Sequence, residues 1–144
     1  IADAITMARE VKPIETTDEL KEAVARFLPR GSENKVLAQI FQALRIEVNE
    51  EMKVLEAFLS QCADVLNPGG RLVVLSYHSL EDRLVKNFMK TGNADGNLEK
   101  DFFGNQLTPY KLMTSKPIIP TDEEIQMNSR ARSAKLRVAE RRAK

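Results

Sequence analysis

The sequence predicts an α/β fold, and three observations carry that reading. Apolar residues return every three or four positions through most of the first 66 residues, as amphipathic helices require. Asn67-Pro68-Gly69-Gly70 then breaks the chain, and Leu72-Val73-Val74-Leu75 follows as a continuous apolar run rather than an alternating one. Such a run suits a strand buried on both faces, the pattern of a parallel sheet covered by helices. A helical stripe resumes at Ser79, so strand then helix makes half of a βαβ unit.

The elements follow in order. Ile1, Ile5, Ala8 and Val11 share one helical face, and Pro13 ends that helix because the residue before a proline is pushed out of the α region. Thr16 with Glu19 three residues on makes a capping box, after which Leu20, Val24, Phe27 and Leu28 form an apolar face that stops at Pro29 and Gly31. From Val36 to Leu66 the helical period runs without proline or glycine. One long helix is expected there, bending near Ile46 to Asn49, where β-branched residues cluster. The strand spans 72–77. In the next helix Ser79 and Asp82 are placed to cap the first turn, and Leu80, Leu84, Val85 and Phe88 form the buried stripe. Residues 91–109 hold three glycines and four asparagines or glutamines with little periodicity, which predicts a mobile surface loop. Tyr110 to Ile119 and Ser133 to Val138 have strand character, the second suited to an edge or antiparallel position, and Thr121-Asp122-Glu123-Glu124 looks like a capped helical start.

Composition narrows the function. The 144 residues carry 22 Lys and Arg against 21 Asp and Glu; with 42% hydrophobic residues and no apolar run near the ~18 that a bilayer crossing needs, both a disordered chain and a membrane span are ruled out. A single cysteine, Cys62, excludes a disulfide framework and fits a reducing, cytoplasmic setting. His78 is the sole histidine, so no metal chemistry is expected. The chain opens at Ile1 without a signal-peptide pattern, and its true N-terminus is expected upstream. The balanced total hides an asymmetry. Arg130, Arg132, Lys135, Arg137, Arg141, Arg142 and Lys144 face Glu140 alone, whereas residues 1–129 are net acidic. A basic end on an acidic body suggests a polyanion such as RNA, the plainer reading being a solvated tail.

The sharpest local feature is Ser76-Tyr77-His78-Ser79-Leu80-Glu81-Asp82-Arg83, because it lies where a strand ends and a helix begins. Ligands in open α/β sheets bind outside the carboxyl ends of strands, and a helix N-terminus favours an anion. The bland alternative is a capping box of Ser79 and Asp82 beside a satisfied histidine. Ser, His and Asp this close in sequence do not make a hydrolase triad, whose members come from separate elements. Arg45 and Asn49 are four apart on one helical face with Gln42 nearby, either toward a cleft or as a solvated face paired with Glu47 and Glu50. Strand alternation puts Lys135 and Arg137 on one face, where they could track phosphates. No glycine-rich loop follows a strand, so no nucleotide-type cofactor is expected on this stretch alone.

Four blocks, in order, carry a resemblance. They are residues 42–51 (Gln42 to Glu51), Pro68-Gly69-Gly70-Arg71-Leu72, residues 76–83, and residues 128–137 (Asn128 to Arg137); Lys12-Pro13-Ile14 fits as well. Together they resemble the MraW family of 16S ribosomal RNA cytosine-N4 methyltransferases over nearly all of the chain except the loop around 91–109. Ser129 stands where the family usually has proline, and its histidine-proline pair is replaced around Asn34 to Ala38.

The resemblance implies an S-adenosylmethionine-dependent enzyme that methylates a cytidine in the decoding region of the small ribosomal subunit. It implies a class I, Rossmann-like domain interrupted by a helical insertion, with residues 1–36 in the insertion and 37–144 in the closing part of the catalytic domain. Strand 72–77 would be the fifth of the sheet, closed by the strands near 110–119 and 133–139 as an antiparallel pair. The family's cofactor loop and acidic ribose-binding residue lie upstream, so a C-terminal fragment, inactive alone, is expected. His78 with Ser76 or Ser79 would border the target base, and Glu81 and Asp82 would cap and orient. Arg45 and Asn49 would line the same cleft, while Arg130, Arg132, Lys135 and Arg137 would engage phosphates or fasten the closing strand. An exposed sheet edge could drive homodimerisation. The rival is a non-enzymatic RNA- or protein-binding module working through the basic end.

Overall fold

The computed structural model describes residues 1–143; Lys144, the last of the basic run, lies outside them. The chain divides into two compact units, Ile1–Glu50 and the residues from Glu51 onward. The boundary implied by the resemblance, at 36/37, falls inside a helix of the first unit.

That first unit is helical: α1 (Ala2–Val11), α2 (Thr17–Val24) with a 3-10 turn at Ala25–Phe27, and α3 (Glu33–Val48). The Thr16 hydroxyl accepts the Glu19 amide while the Glu19 carboxylate accepts the Thr16 amide, so the expected capping box is complete. Leu20, Val24 and Ile40 form its buried centre, with Ile5, Ile14, Leu28 and Phe41 packed around them.

The second unit contains α4 (Glu51–Val65), β1 (Arg71–Ser76), α5 (Ser79–Thr91), β2 (Tyr110–Leu112), α6 (Asp122–Met127) and β3 (Lys135–Arg141). Its core gathers Leu59 and Cys62 of α4, Leu72 of β1, Val85, Phe88 and Met89 of α5, Tyr110 of β2 and Ala139 of β3. The sheet has the order β1-β3-β2, and both pairings are antiparallel. Leu72 opposes Ala139, Val74 opposes Arg137 and Ser76 opposes Lys135, which sets one face of the sheet toward the core.

Several expectations are corrected. The long third helix is two helices, α3 and α4, because Asn49 ends α3 and Glu50 takes a left-handed φ of +50°. A side chain there costs about 1 kcal/mol. β1 is not buried on both faces: Val73 and Leu75 are 54% and 50% exposed, since α4 and α5 cover only the side bearing Leu72 and Ser76. The parallel neighbours implied by its apolar run are not among the described residues; β3, of the two positions expected for it, takes the antiparallel one, at the centre of the sheet. The strand expected over Tyr110–Ile119 stops at Leu112, and after Pro117, which has no N–H to donate, only Ile118 pairs again, with Leu136. The segment 91–109 is organised by its own polar groups: Asn93 accepts the Gly96 and Asn97 amides, and Asp101 accepts those of Phe103 and Asn105.

Candidate functional site

The chain leaves β1 at Ser76 and enters α5 at Ser79, and the residue between them that caps the helix is His78. Its backbone is extended (φ −133°, ψ 160°), and its Nδ1 accepts the Glu81 amide at 3.4 Å. The Glu81 carboxylate reaches back and accepts the Tyr77 amide at 3.1 Å through Oε2. The cap is thus shifted by one residue from the Ser79 and Asp82 pair that spacing suggests, and Glu81 reaches past the N-cap to the amide before it rather than closing a reciprocal capping box. The shift matters because it releases Asp82 for another task.

Asp82 is buried and accepts two bonds from Arg137, Nε to Oδ1 at 2.7 Å and Nη2 to Oδ2 at 3.2 Å, plus one from Lys135 Nζ at 3.2 Å. Burial opposes ionisation of this carboxyl, but Arg137 and Lys135 outweigh it and hold it below its ordinary range. Arg137 is only 8% exposed and Lys135 is partly exposed, and through Asp82 both join β3 to the first turn of α5. Asp82 therefore orients two cations and does not cap. Ser76 is also buried, and its hydroxyl donates to the Lys135 carbonyl at 3.4 Å, a further tie between the same strands. Ser79 is the first residue of α5 and is exposed.

A residue not singled out in the sequence joins the turn. Glu51, at the start of α4, brings a carboxylate oxygen to His78 and Glu81, the three donor atoms lying within 4.8 Å of one another. Nothing local in the sequence pairs position 51 with position 78; the unbroken helical period hid the start of α4. One imidazole and two carboxylates are a donor set that suits zinc or manganese. The hydrogen bonding argues for another use. A nitrogen that accepts a hydrogen bond carries no proton, so with Nδ1 accepting, the neutral ring bears its proton on Nε2. Nε2 lies 3.1 Å from Glu81 Oε1, close enough for electrostatic contact though not aligned for a full hydrogen bond. A ring in that tautomer offers a metal no lone pair at Nε2.

The remaining candidates lie apart from this turn in sequence. Arg130 and Arg132 sit in a 3-10 turn (Ser129–Ser133) with their side chains exposed, and Arg142 is exposed as well. Arg141 turns inward, donating to the carbonyls of Ala63 at 2.9 Å and Pro109 at 3.2 Å. Arg45 lies in the last turn of α3 and Asn49 at its end, both exposed and both in the helical unit. On the uncovered face of the sheet, Leu75, Tyr77, Ile118, Pro120 and Leu136 line a cleft of about 300 Å³. A larger groove of about 740 Å³ belongs to the helical unit, lined by Ile5, Ile14, Leu20 and Phe41 with Arg9 and Glu10 among its polar residues; it contains none of the candidate residues. No helix among the described residues is long and apolar enough to cross a membrane.

The profile of the MraW methylase family matches residues 1–142. Proteins named ribosomal RNA small subunit methyltransferase H are similar throughout. That of Flavobacterium psychrophilum is 58% identical over 142 residues, which cover 99% of this chain and 48% of that protein. Those of Flavobacterium johnsoniae and Parabacteroides distasonis are 57% and 56% identical over 141 residues, 98% of this chain and 46% of each protein. The chain spans about half the length of the curated relatives it matches.

Proposed function

The chain belongs to the MraW methylase family, and from that premise we propose that the whole protein methylates the exocyclic N4 of a cytidine in the decoding region of 16S ribosomal RNA, using S-adenosylmethionine. The observation that carries the reading is the family match over residues 1–142. The geometry agrees with it, because the polar turn stands at the carboxyl end of β1, where α/β enzymes place their ligands. The non-enzymatic rival gives way to relatives named as methyltransferases.

In this reading the second unit is the closing part of a class I methyltransferase sheet, with β1 its fifth strand and β2 and β3 the antiparallel pair. The cofactor supplies an electrophilic methyl group. The described residues do not fit it as a cradle: Gly69 and Gly70 precede β1, and no glycine-rich turn follows a strand. The cofactor is therefore held by parts of the whole protein outside this chain, and the chain alone is inactive. What this chain contributes is the acceptor side. The β1–α5 turn borders the target base. Arg130 and Arg132 contact phosphates, and Arg45 and Asn49 contact the RNA from the helical unit.

The test is methyl transfer by the whole protein from methyl-labelled S-adenosylmethionine to small ribosomal subunits that lack the modification, followed by nuclease digestion and mass spectrometry. The expected product is N4-methylcytidine in the decoding region. Label on another base or atom, or no label at all, contradicts the proposal.

A further inference from the structure

We infer that Glu81 accepts the proton that leaves the target amine, and that His78 is a positioning residue that holds Glu81 in place; the inference rests on the reading above and names the group behind its chemistry. The polar side chains at the turn are few, and the fold already occupies most of them. Ser76 is buried and bonded to Lys135, and Asp82 is clasped by Arg137 and Lys135 from β3. His78 has one lone pair to offer, at Nδ1, and the Glu81 amide takes it. Its Nε2 is sealed from solvent, and its side chain is only 14% exposed. The imidazole thus cannot turn a basic nitrogen toward a substrate without uncapping α5. Ser79 is exposed, but a hydroxyl does not retain a second proton near neutral pH.

The Glu81 carboxylate remains. It is 28% exposed, pinned through Oε2 by the Tyr77 amide and set through Oε1 beside the Nε2 of His78. The groups that face it are His78 from the turn and Glu51 from α4, whereas the cations of β3 face Asp82. Glu51 lies at the junction of α3 and α4 and not on the turn itself. The chemistry asks little of the acceptor. When N4 takes up a methyl group it becomes cationic and must lose one of its two protons. The N–H bond breaks, its electron pair returns to nitrogen, and the proton forms an O–H bond on Glu81. A carboxylate is basic enough because the methylated cation is acidic.

Two substitutions separate the roles without removing the cap. Gln keeps a side-chain oxygen to accept the Tyr77 amide as Glu does, and Asn is among the best N-caps. In the whole protein E81Q is expected to lower kcat by about 10²-fold or more, with KM for RNA little changed, whereas H78N, which keeps the cap but removes the imidazole beside Glu81, lowers kcat by less than E81Q and leaves the pH profile unmoved. A long-range proton–nitrogen NMR spectrum, in which the His78 signal is the one lost in H78N, should place the ring proton on Nε2. Four results each overturn the inference: E81Q within about fivefold of wild type; H78N losing at least as much kcat as E81Q; an inflection of the pH–rate profile that vanishes in H78N; or a His78 ring protonated on Nδ1. Wild-type protein that methylates no ribosomal RNA removes the earlier reading instead, and the NMR arm still decides what His78 does.

Discussion

Asp82 is the residue on which the geometry of the turn most depends, because its carboxylate ties the first turn of α5 to β3 through the buried Arg137 and the partly exposed Lys135. Removing one partner of such a buried pair leaves the other charge uncompensated, which typically costs about 3–5 kcal/mol. D82N should therefore lower unfolding stability by about 3 kcal/mol in denaturant titration. The pH dependence has a definite sign. The carboxyl of Asp82 is lower in the folded state than in the unfolded chain, so its contribution is present in full above the unfolded value of ~3.9 and is lost as pH falls through the folded value. Wild-type stability should decline in that acid window, and the decline should be shallower in D82N. An unchanged midpoint at neutral pH would show that the clasp does not hold the strand.

At the level of elements, α5 is fixed at both ends, by His78 and Glu81 at its start and by Gly92 at its close. Gly92 has a left-handed φ of +84°, and a Cβ placed on it would meet Pro109 Cδ at 2.8 Å. G92A combines the cost of that backbone state with a clash against the start of β2, and should lower stability by about 2 kcal/mol in thermal or denaturant unfolding. A neutral G92A would mean that the loop before β2 yields easily. Local signals of this kind made much of the fold legible: Pro13 closing α1, the Thr16 and Glu19 box opening α2, the Asn67 to Gly70 breaker before β1. The break at Asn49–Glu50 was legible only as a bend near Ile46 to Asn49, because no proline or glycine marks it and a glutamate takes the left-handed backbone. The apolar run of β1 correctly announced a strand but not that α4 and α5 would cover one face of it. The candidate site was legible where it is contiguous, from Ser76 to Asp82. It was not legible where the fold alone assembles it: Asp82 meets Arg137 across 55 positions, and Glu51 comes from a helix whose start the pattern concealed.

Across the whole molecule the second unit leaves an apolar sheet face open, with Val73, Leu75, Ile118 and Ile119 each at least half exposed beside the unpaired edge of β1. Open edges and contiguous apolar surface drive association. The chain on its own should therefore run above monomer mass in light scattering, and V73K with L75K should return it to a monomer; a monomeric wild-type chain would contradict this. The central claim, that the β1–α5 turn is the wall against which the target base is held, is tested most directly by a structure of the whole protein with a ribosomal RNA fragment carrying the target cytosine. The account predicts that N4 lies about 3 Å from a Glu81 carboxylate oxygen, within hydrogen-bond reach. A target base bound elsewhere, for instance in the apolar groove of the helical unit, would contradict it.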